Sequence, residues 1–439
     1  MALSTHQSDA PGEGMVAFSY QDKELSRLRV LIIGLFFVFG GITSLNDVII
    51  PKLKGLFTLN YTEAMLVQFC FFTAYALVGI PGAAVVKRVG YMRGAVIGLA
   101  MMTLGCLLFI PASVSATFGL FLFALFILAS GVVIVQVVSN PLISLLGPAK
   151  TASSRLTFAQ AFNSLGTVLF PKVGAIVILG GVAALSAQPQ GEAALHAYRV
   201  AETRVVVQTY IGLALALALV ASVVWANRDR LRHETHEHTP MLQSLDLLKR
   251  PRFSLGALGI FLYVGAEVSI GSLIVAYMQM RSGAQLSAAA AGAYIPYYWG
   301  GALIGRFVGS AALTRFSPGK VLAMVASGAI VLLLVSMNSH GSLSCWSLLA
   351  IGLMNAIMFP TIFSLACEGL GTRTADGSGI LNVAIFGGAV IPLLTGVTAD
   401  LSGSLSMALV LPLGCYAIIA CYGIYAAKPL YPDAPVAAS

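Results

Sequence analysis

Apolar runs of about twenty residues recur twelve times along this chain, separated by short polar or Gly/Pro-bearing breaks. They fall at roughly 28–53, 62–86, 94–111, 117–146, 155–182 and 205–226, then at 253–281, 288–314, 321–338, 342–367, 377–400 and 405–427. A helix rises about 1.5 Å per residue, so roughly twenty residues cross about 30 Å of hydrocarbon. Barrel strands would instead alternate apolar and polar positions in segments of about ten. The pattern predicts an all-α membrane protein of twelve transmembrane helices.

The polar stretch Asn227–Arg252 divides the spans six and six. The predicted organisation is a tail at 1–27, a six-helix bundle at 28–226, a solvated linker at 227–252, a second bundle at 253–427 and a tail at 428–439. The halves repeat. GAAVVKRVGYMR (82–93) follows the second span, and GSAALTRFSPGK (309–320) follows the second span of the other half; Gly, Arg and the last basic residue align at one offset. A Pro-bearing fourth span and a Gly-rich fifth span recur as well, NPLISLLGP leading to Pro171 and FPTIFSLACEGLG leading to Pro392. Two pseudo-symmetric six-helix repeats are the build of a large transporter class, with its site at the repeat junction near midplane.

Composition agrees with lipid as the solvent. Of 439 residues 58% are apolar and 10% charged, where a soluble domain carries about 25% charged. The net charge of +8 does not point to nucleic acid, because the basic residues are dispersed and follow the positive-inside rule. Only Lys52, Lys54, Arg199, Arg204 and Arg281 fall opposite the N-terminal side, and Lys172 and Arg306 lie within spans. Both termini are therefore expected in the cytoplasm. The first 27 residues lack the basic, apolar and small-residue pattern of a cleavable signal. The six cysteines read as small packing residues. The His233, His236 and His238 cluster reads as solvated linker rather than a metal site.

SLNDVIIPKLKGLFTLNYTEAMLVQFCFFTAYALVGIPGAAVVKRVGY resembles the sugar–proton symporters of the major facilitator superfamily, in the fucose/glucose/galactose group. QVVSNPLISLLGP, SSRLTFAQAFNSLG, FLYVGAEVSIGSLIVAY, GGALIGRFVGS, MFPTIFSLACEGLG and DGSGILNVAIFGGAVIPLL resemble it too, so the likeness runs from about Gly34 to Gly423. It implies secondary active transport of a monosaccharide, with one acid on the first span and one on the fourth. Asp47 matches the first. At the second, where the fucose symporter has glutamate, this chain has Gln136, as the glucose/galactose type does. That departure weakens a two-carboxylate mechanism and moves the expected substrate from fucose toward glucose or galactose.

Asp47 lies about 28 Å along its run, with Thr43 and Ser44 on its face. An aspartate at a span centre costs roughly 2.5–3.5 kcal/mol and needs a compensating environment. It reads either as a proton-carrying carboxylate or as an interfacial aspartate beside Lys52 or water. Glu267, mid-span in YVGAEVS, reads as a second titrating group, a hydroxyl acceptor, or a structural charge paired with Arg306. A neutral sugar needs hydrogen-bonding side chains around a ring, and the candidates are Asn46, Gln68, Gln136, Asn140, Gln160, Asn163, Asn355 and Asn382. Buried amides also glue membrane helices together, and that reading stays open for each. Tyr297, Tyr298 and Trp299 read as packing or interfacial belt. Gly301, Gly305 and Gly309 form a stripe for close helix approach, and Lys172 reads as snorkelling.

No cofactor is expected, only a coupling ion: a proton, with sodium or no coupling as alternatives. The expected partners are the bilayer and a small sugar, without nucleic acid or a second subunit, in the cytoplasmic (inner) membrane. GxSxG, HExxH and GxxxxGK[ST] patterns are absent from the sequence, which argues against an enzyme or an ATP-driven pump. A non-transporting sugar sensor is the remaining alternative.

Overall fold

The computed structural model describes residues 22–45, 53, 57, 61–174, 191–231, 241–281, 291 and 294–428. In the first half these form α1 (Asp22–Ser44), α2 (Tyr61–Val89), α3 (Tyr91–Leu107), α4 (Phe109–Val114), α5 (Phe118–Leu145), α6 (Ala152–Gly174) and α7 (Glu192–Ala226). In the second half they form α8 (Pro251–Arg281), α9 (Ile295–Ala312), α10 (Pro318–Asn338), α11 (Gly341–Asn355), α12 (Met358–Ala366), α13 (Thr374–Ala384), α14 (Gly387–Ser402), α15 (Leu405–Ala408) and α16 (Val410–Ala426). The segments α3–α4, α11–α12, α13–α14 and α15–α16 are single spans broken by a bend.

Three of those breaks share one cause. Proline has no N–H and its ring clashes with the carbonyl one turn earlier. Pro111, Pro360 and Pro412 each sit just after the breaks at Leu108, Ala356–Ile357 and Leu409.

Ten helical stretches among the described residues are long and apolar enough to cross a membrane. Two more helices, α6 and α9, bring the spans to twelve. These two fall short for a reason that matters later. α6 carries Ser153, Ser154, Arg155, Gln160, Asn163 and Ser164, and α9 carries Arg306. They pack against each other, one from each half.

The helix packing repeats between halves. α1 lies on α6, α2 on α5, α3 on α5 and on α7; correspondingly α8 lies on α14, α9 on α11, α10 on α11 and on α16. Large apolar side chains such as Leu215, Ile424 and Leu401 are exposed on the outer faces, a surface suited to lipid and not to water. All six cysteines are free thiols. The linker is not wholly solvated: Met241–Lys249 forms a 3-10 segment packed on α8 and α13.

Candidate functional site

The two halves meet along a seam formed by α2 with α13, α5 with α13, α6 with α9 and α6 with α12. Prolines prepare it. Pro141 inside α5 cannot donate to Val137 O, and that freed carbonyl accepts Ser378 Oγ from the opposite half at 3.1 Å. Pro360 likewise frees Ala356 O, which accepts Arg306 Nε at 3.3 Å. Arg306 then reaches across the seam, donating Nη1 to Gln160 O at 3.0 Å and to Ser164 Oγ.

Nearer the linker, polar contacts close the seam. Ser154 Oγ donates to Ser310 O at 2.7 Å, and the Ser153 and Ser364 hydroxyls lie 2.5 Å apart. Lys87 Nζ pairs with Asp376 Oδ1 at 2.6 Å, and Arg373 Nε lies 3.6 Å from Asp376 Oδ2. Arg373 also donates to both carboxylate oxygens of Asp246 in the linker, at 3.0 and 2.6 Å. The guanidinium holds the Asp246 carboxyl below the ordinary aspartate range. Between these contacts Gly79 meets Gly379 so closely that a Cβ on Gly79 would stand 2.7 Å from Gly379 O.

The predicted amides fall into two kinds. Gln136 and Asn355 occupy matching places, each five residues before its proline. Gln136 Nε2 donates to Tyr75 OH at 2.9 Å, and Asn355 Nδ2 donates to Tyr298 OH at 2.8 Å. The symmetry ends there. Asn355 Oδ1 also accepts Tyr416 OH at 2.7 Å, and its carbonyl accepts Tyr263 OH at 3.2 Å. Asn355 thereby bonds three tyrosine hydroxyls.

Asn140, by contrast, accepts Gln160 Nε2 at 3.5 Å, while its own Nδ2 is buried with no partner among the described residues. Asn382 donates to Ser378 O at 2.8 Å, and its Oδ1 is likewise buried and unpartnered. Asn163 is half-buried and donates to Phe36 O at 3.4 Å. Such orphaned atoms are costly unless a ligand or water meets them.

Glu267 is half-buried, and its Oε1 is shielded and has no hydrogen-bond partner among the described residues. It makes no ion pair with Arg306 within 4 Å, although the Arg306 charge acts on it. Tyr298 is fully buried, with its hydroxyl donating to Glu267 O at 3.3 Å. Tyr297 and Trp299 are exposed, Tyr297 against Trp346 at the helix surface. The glycine stripe sets α9 on α11: a Cβ at Gly305 would stand 2.5 Å from the Ala356 Cβ.

Asn46, Asp47 and the His233, His236, His238 cluster lie outside the described residues, as do the side chains of Gln68 and Lys172. Sequence reasoning missed Tyr75, Ser164, Ser378 and Asp376. It also counted Lys87 merely among cytoplasmic loop charges. The one usable signal was proline: each freed carbonyl calls for a donor from elsewhere.

A family model described as Major Facilitator Superfamily matches residues 31–393. The chain is 47% identical over 397 residues to a glucose/galactose transporter of Brucella abortus biovar 1 (strain 9-941), covering 90% of this chain and 92% of the relative. It is 30% identical over 416 residues to the L-fucose-proton symporter of Escherichia coli (strain K12), covering 91% and 94%. The crystal structure of FucP, a transporter of the superfamily in the outward conformation, superimposes with a TM-score of 0.82 at 30% identity, covering 91% of this chain and 98% of that one.

Proposed function

The chain belongs to the Major Facilitator Superfamily, in the branch of glucose/galactose transporters and the fucose–proton symporter, and on that premise we propose that it imports a hexose such as glucose or galactose by alternating access. The family is one of membrane transporters, not enzymes. In this reading the protein sits in the cytoplasmic membrane as a monomer, with both termini and the linker inside. The seam contacts near the linker then shut the cytoplasmic side, which is the outward-facing state.

One observation carries the sugar site. On the seam helices α5 and α13, Asn140 offers a donor and Asn382 an acceptor with no partner among the described residues. A sugar hydroxyl both donates and accepts, so a bound sugar is suited to either amide. Gln136, Gln160 and Asn163 complete the amide set from α5 and α6, with Asn46 and Gln68 contributed by the first two spans. Asn355 orients Tyr298 and Tyr416 and is not assigned a sugar contact.

Coupling is assigned to protons through Asp47, which loads a proton outside and releases it inside. One proton crossing about 150 mV supplies roughly 3.5 kcal/mol, enough for about 300-fold accumulation at about 1.4 kcal/mol per tenfold. One carboxylate therefore suffices.

Counterflow in proteoliposomes with labelled glucose, galactose, N-acetylglucosamine and fucose identifies the sugar. Asp47→Asn is expected to abolish accumulation under an imposed pH gradient while retaining part of the exchange. Accumulation equal to the parent protein's would remove Asp47 from the mechanism. Because Gln136 stands where a second carboxylate would, sodium coupling is the second reading. Uptake that collapses when sodium is replaced by choline at fixed pH would favour it.

A further inference from the structure

Glu267 and Arg306 lie in the same half, on α8 and α9, and will travel together when the halves rock. Two of the bonds Arg306 makes reach the other half, to Gln160 O and Ser164 Oγ of α6. Its remaining bond, to Ala356 O, stays within its own half. Glu267 meanwhile holds one shielded carboxylate oxygen, Oε1, with no donor among the described residues. The groups whose charge or hydroxyl bears on it are Arg306 and Tyr298 from α9, Tyr263 from its own helix and Tyr416 from α16. Tyr263 gives its hydroxyl to Asn355 O, Tyr298 to Glu267 O and Tyr416 to Asn355 Oδ1. Arg306 is the one cation in that set.

We propose that Arg306 exchanges partners during transport, from Gln160 and Ser164 across the closed seam to Glu267 once the seam opens, and that this exchange makes Glu267 a second proton-coupling acid. The proposal rests on the carrier reading and adds a coupling group to it. With the seam closed, Glu267 makes no ion pair with Arg306 and, in this proposal, holds its proton. Opening withdraws α6 from Arg306, which leaves guanidinium donors unmet and free to turn to Glu267. The carboxyl O–H bond then breaks, the proton passes to water on the linker side, and the carboxylate left behind pairs with Arg306. Re-closing returns Arg306 to α6 and Glu267 to the protonated form. The missing carboxylate at Gln136 is thus replaced by an acid in the other half.

The test uses the full-length protein in proteoliposomes, with the six native cysteines replaced and a reporter Ser153→Cys at the seam. Maleimide reaches this position from the linker side only when the seam opens. In the parent protein, labelling should rise as pH is raised, because loss of the proton favours the Arg306–Glu267 pair. Glu267→Gln mimics the protonated acid. It should reduce labelling about threefold or more and flatten its pH dependence. Accumulation under a pH gradient should fall about tenfold, with sugar exchange partly kept. Ser164→Ala removes a cross-seam partner of Arg306 and should raise labelling, which guards against a Glu267 variant that merely misfolds. A Glu267→Gln protein whose labelling keeps the parent's pH profile and whose accumulation matches it overturns the proposal. If the parent itself shows no proton-driven accumulation, coupling through Asp47 fails with it. The pH profile of labelling would then still decide whether Arg306 changes partners.

Discussion

Lys87 Nζ lies 2.6 Å from Asp376 Oδ1, with both side chains almost wholly buried where α2 of one half meets α13 of the other. A buried pair contributes little net stability against a hydrophobic replacement, because desolvation offsets attraction, yet removing one partner is costly. Its value here is conditional. The pair exists only while the halves are closed at the linker end, so it weights one conformation over another.

The two partners are not equivalent. Asp376 keeps the Arg373 guanidinium beside it if Lys87 is lost, whereas loss of Asp376 takes a carboxylate from both cations. Asp376→Asn should therefore destabilise the seam-closed state more than Lys87→Met, by about 3–5 kcal/mol for the carboxylate loss. Replacing both with apolar residues should recover much of that. Melting temperature in detergent and maleimide access at Ser153→Cys read the outcome; equal effects of the two single variants would refute the asymmetry.

Docking of the linker should depend on acid. Arg373 lowers the folded-state value of Asp246 below its unfolded one. The stabilisation is then fully present above the ordinary aspartate value, about 3.9, and is lost as pH falls through the lower folded value. Limited proteolysis of the linker should show protection at neutral pH that disappears in strong acid. Asp246→Asn should lack that protection at neutral pH and show no acid transition of its own.

The amides should separate by assay. Asn355→Ala takes the acceptor from the Tyr416 hydroxyl, at about 1–3 kcal/mol for an unsatisfied group, and the amide donor from Tyr298, which keeps its bond to Glu267 O; it should lower the melting temperature clearly. Asn140→Ala removes only a 3.5 Å contact to Gln160. It should leave melting near the parent's while raising the half-saturating sugar concentration about tenfold, or about 1.4 kcal/mol. The opposite pattern would reverse the assignment of the two amides.

Gly79→Val places branched atoms where Gly379 O already limits the space to 2.7 Å for a single Cβ. The halves should then fail to close at the linker end. Net uptake should be lost, and access to Ser153→Cys from that side should become constant and high. Unaltered uptake would show that the glycine contact is not needed for closure.

Much of the architecture is local information. The twelve spans, the linker and the repeat are properties of consecutive residues, because a lipid-spanning segment must be apolar and must pair its own backbone. Residue order alone places Arg306 within a span and puts the prolines of the fourth and fifth spans of each half at repeating positions. Which polar groups bond to one another follows from the packing of the helices. Gln136 and Asn355 match in residue chemistry and in place before a proline, yet Tyr416 closes off only Asn355. Arg306 could be read as the partner of Glu267, but it is held by α6 of the other half. Lys87 and Asp376 are far apart in the chain and meet only when two six-helix bundles pack. Hydrogen bonds and ion pairs act over a few ångströms in space, whereas hydropathy and helical period act along the chain.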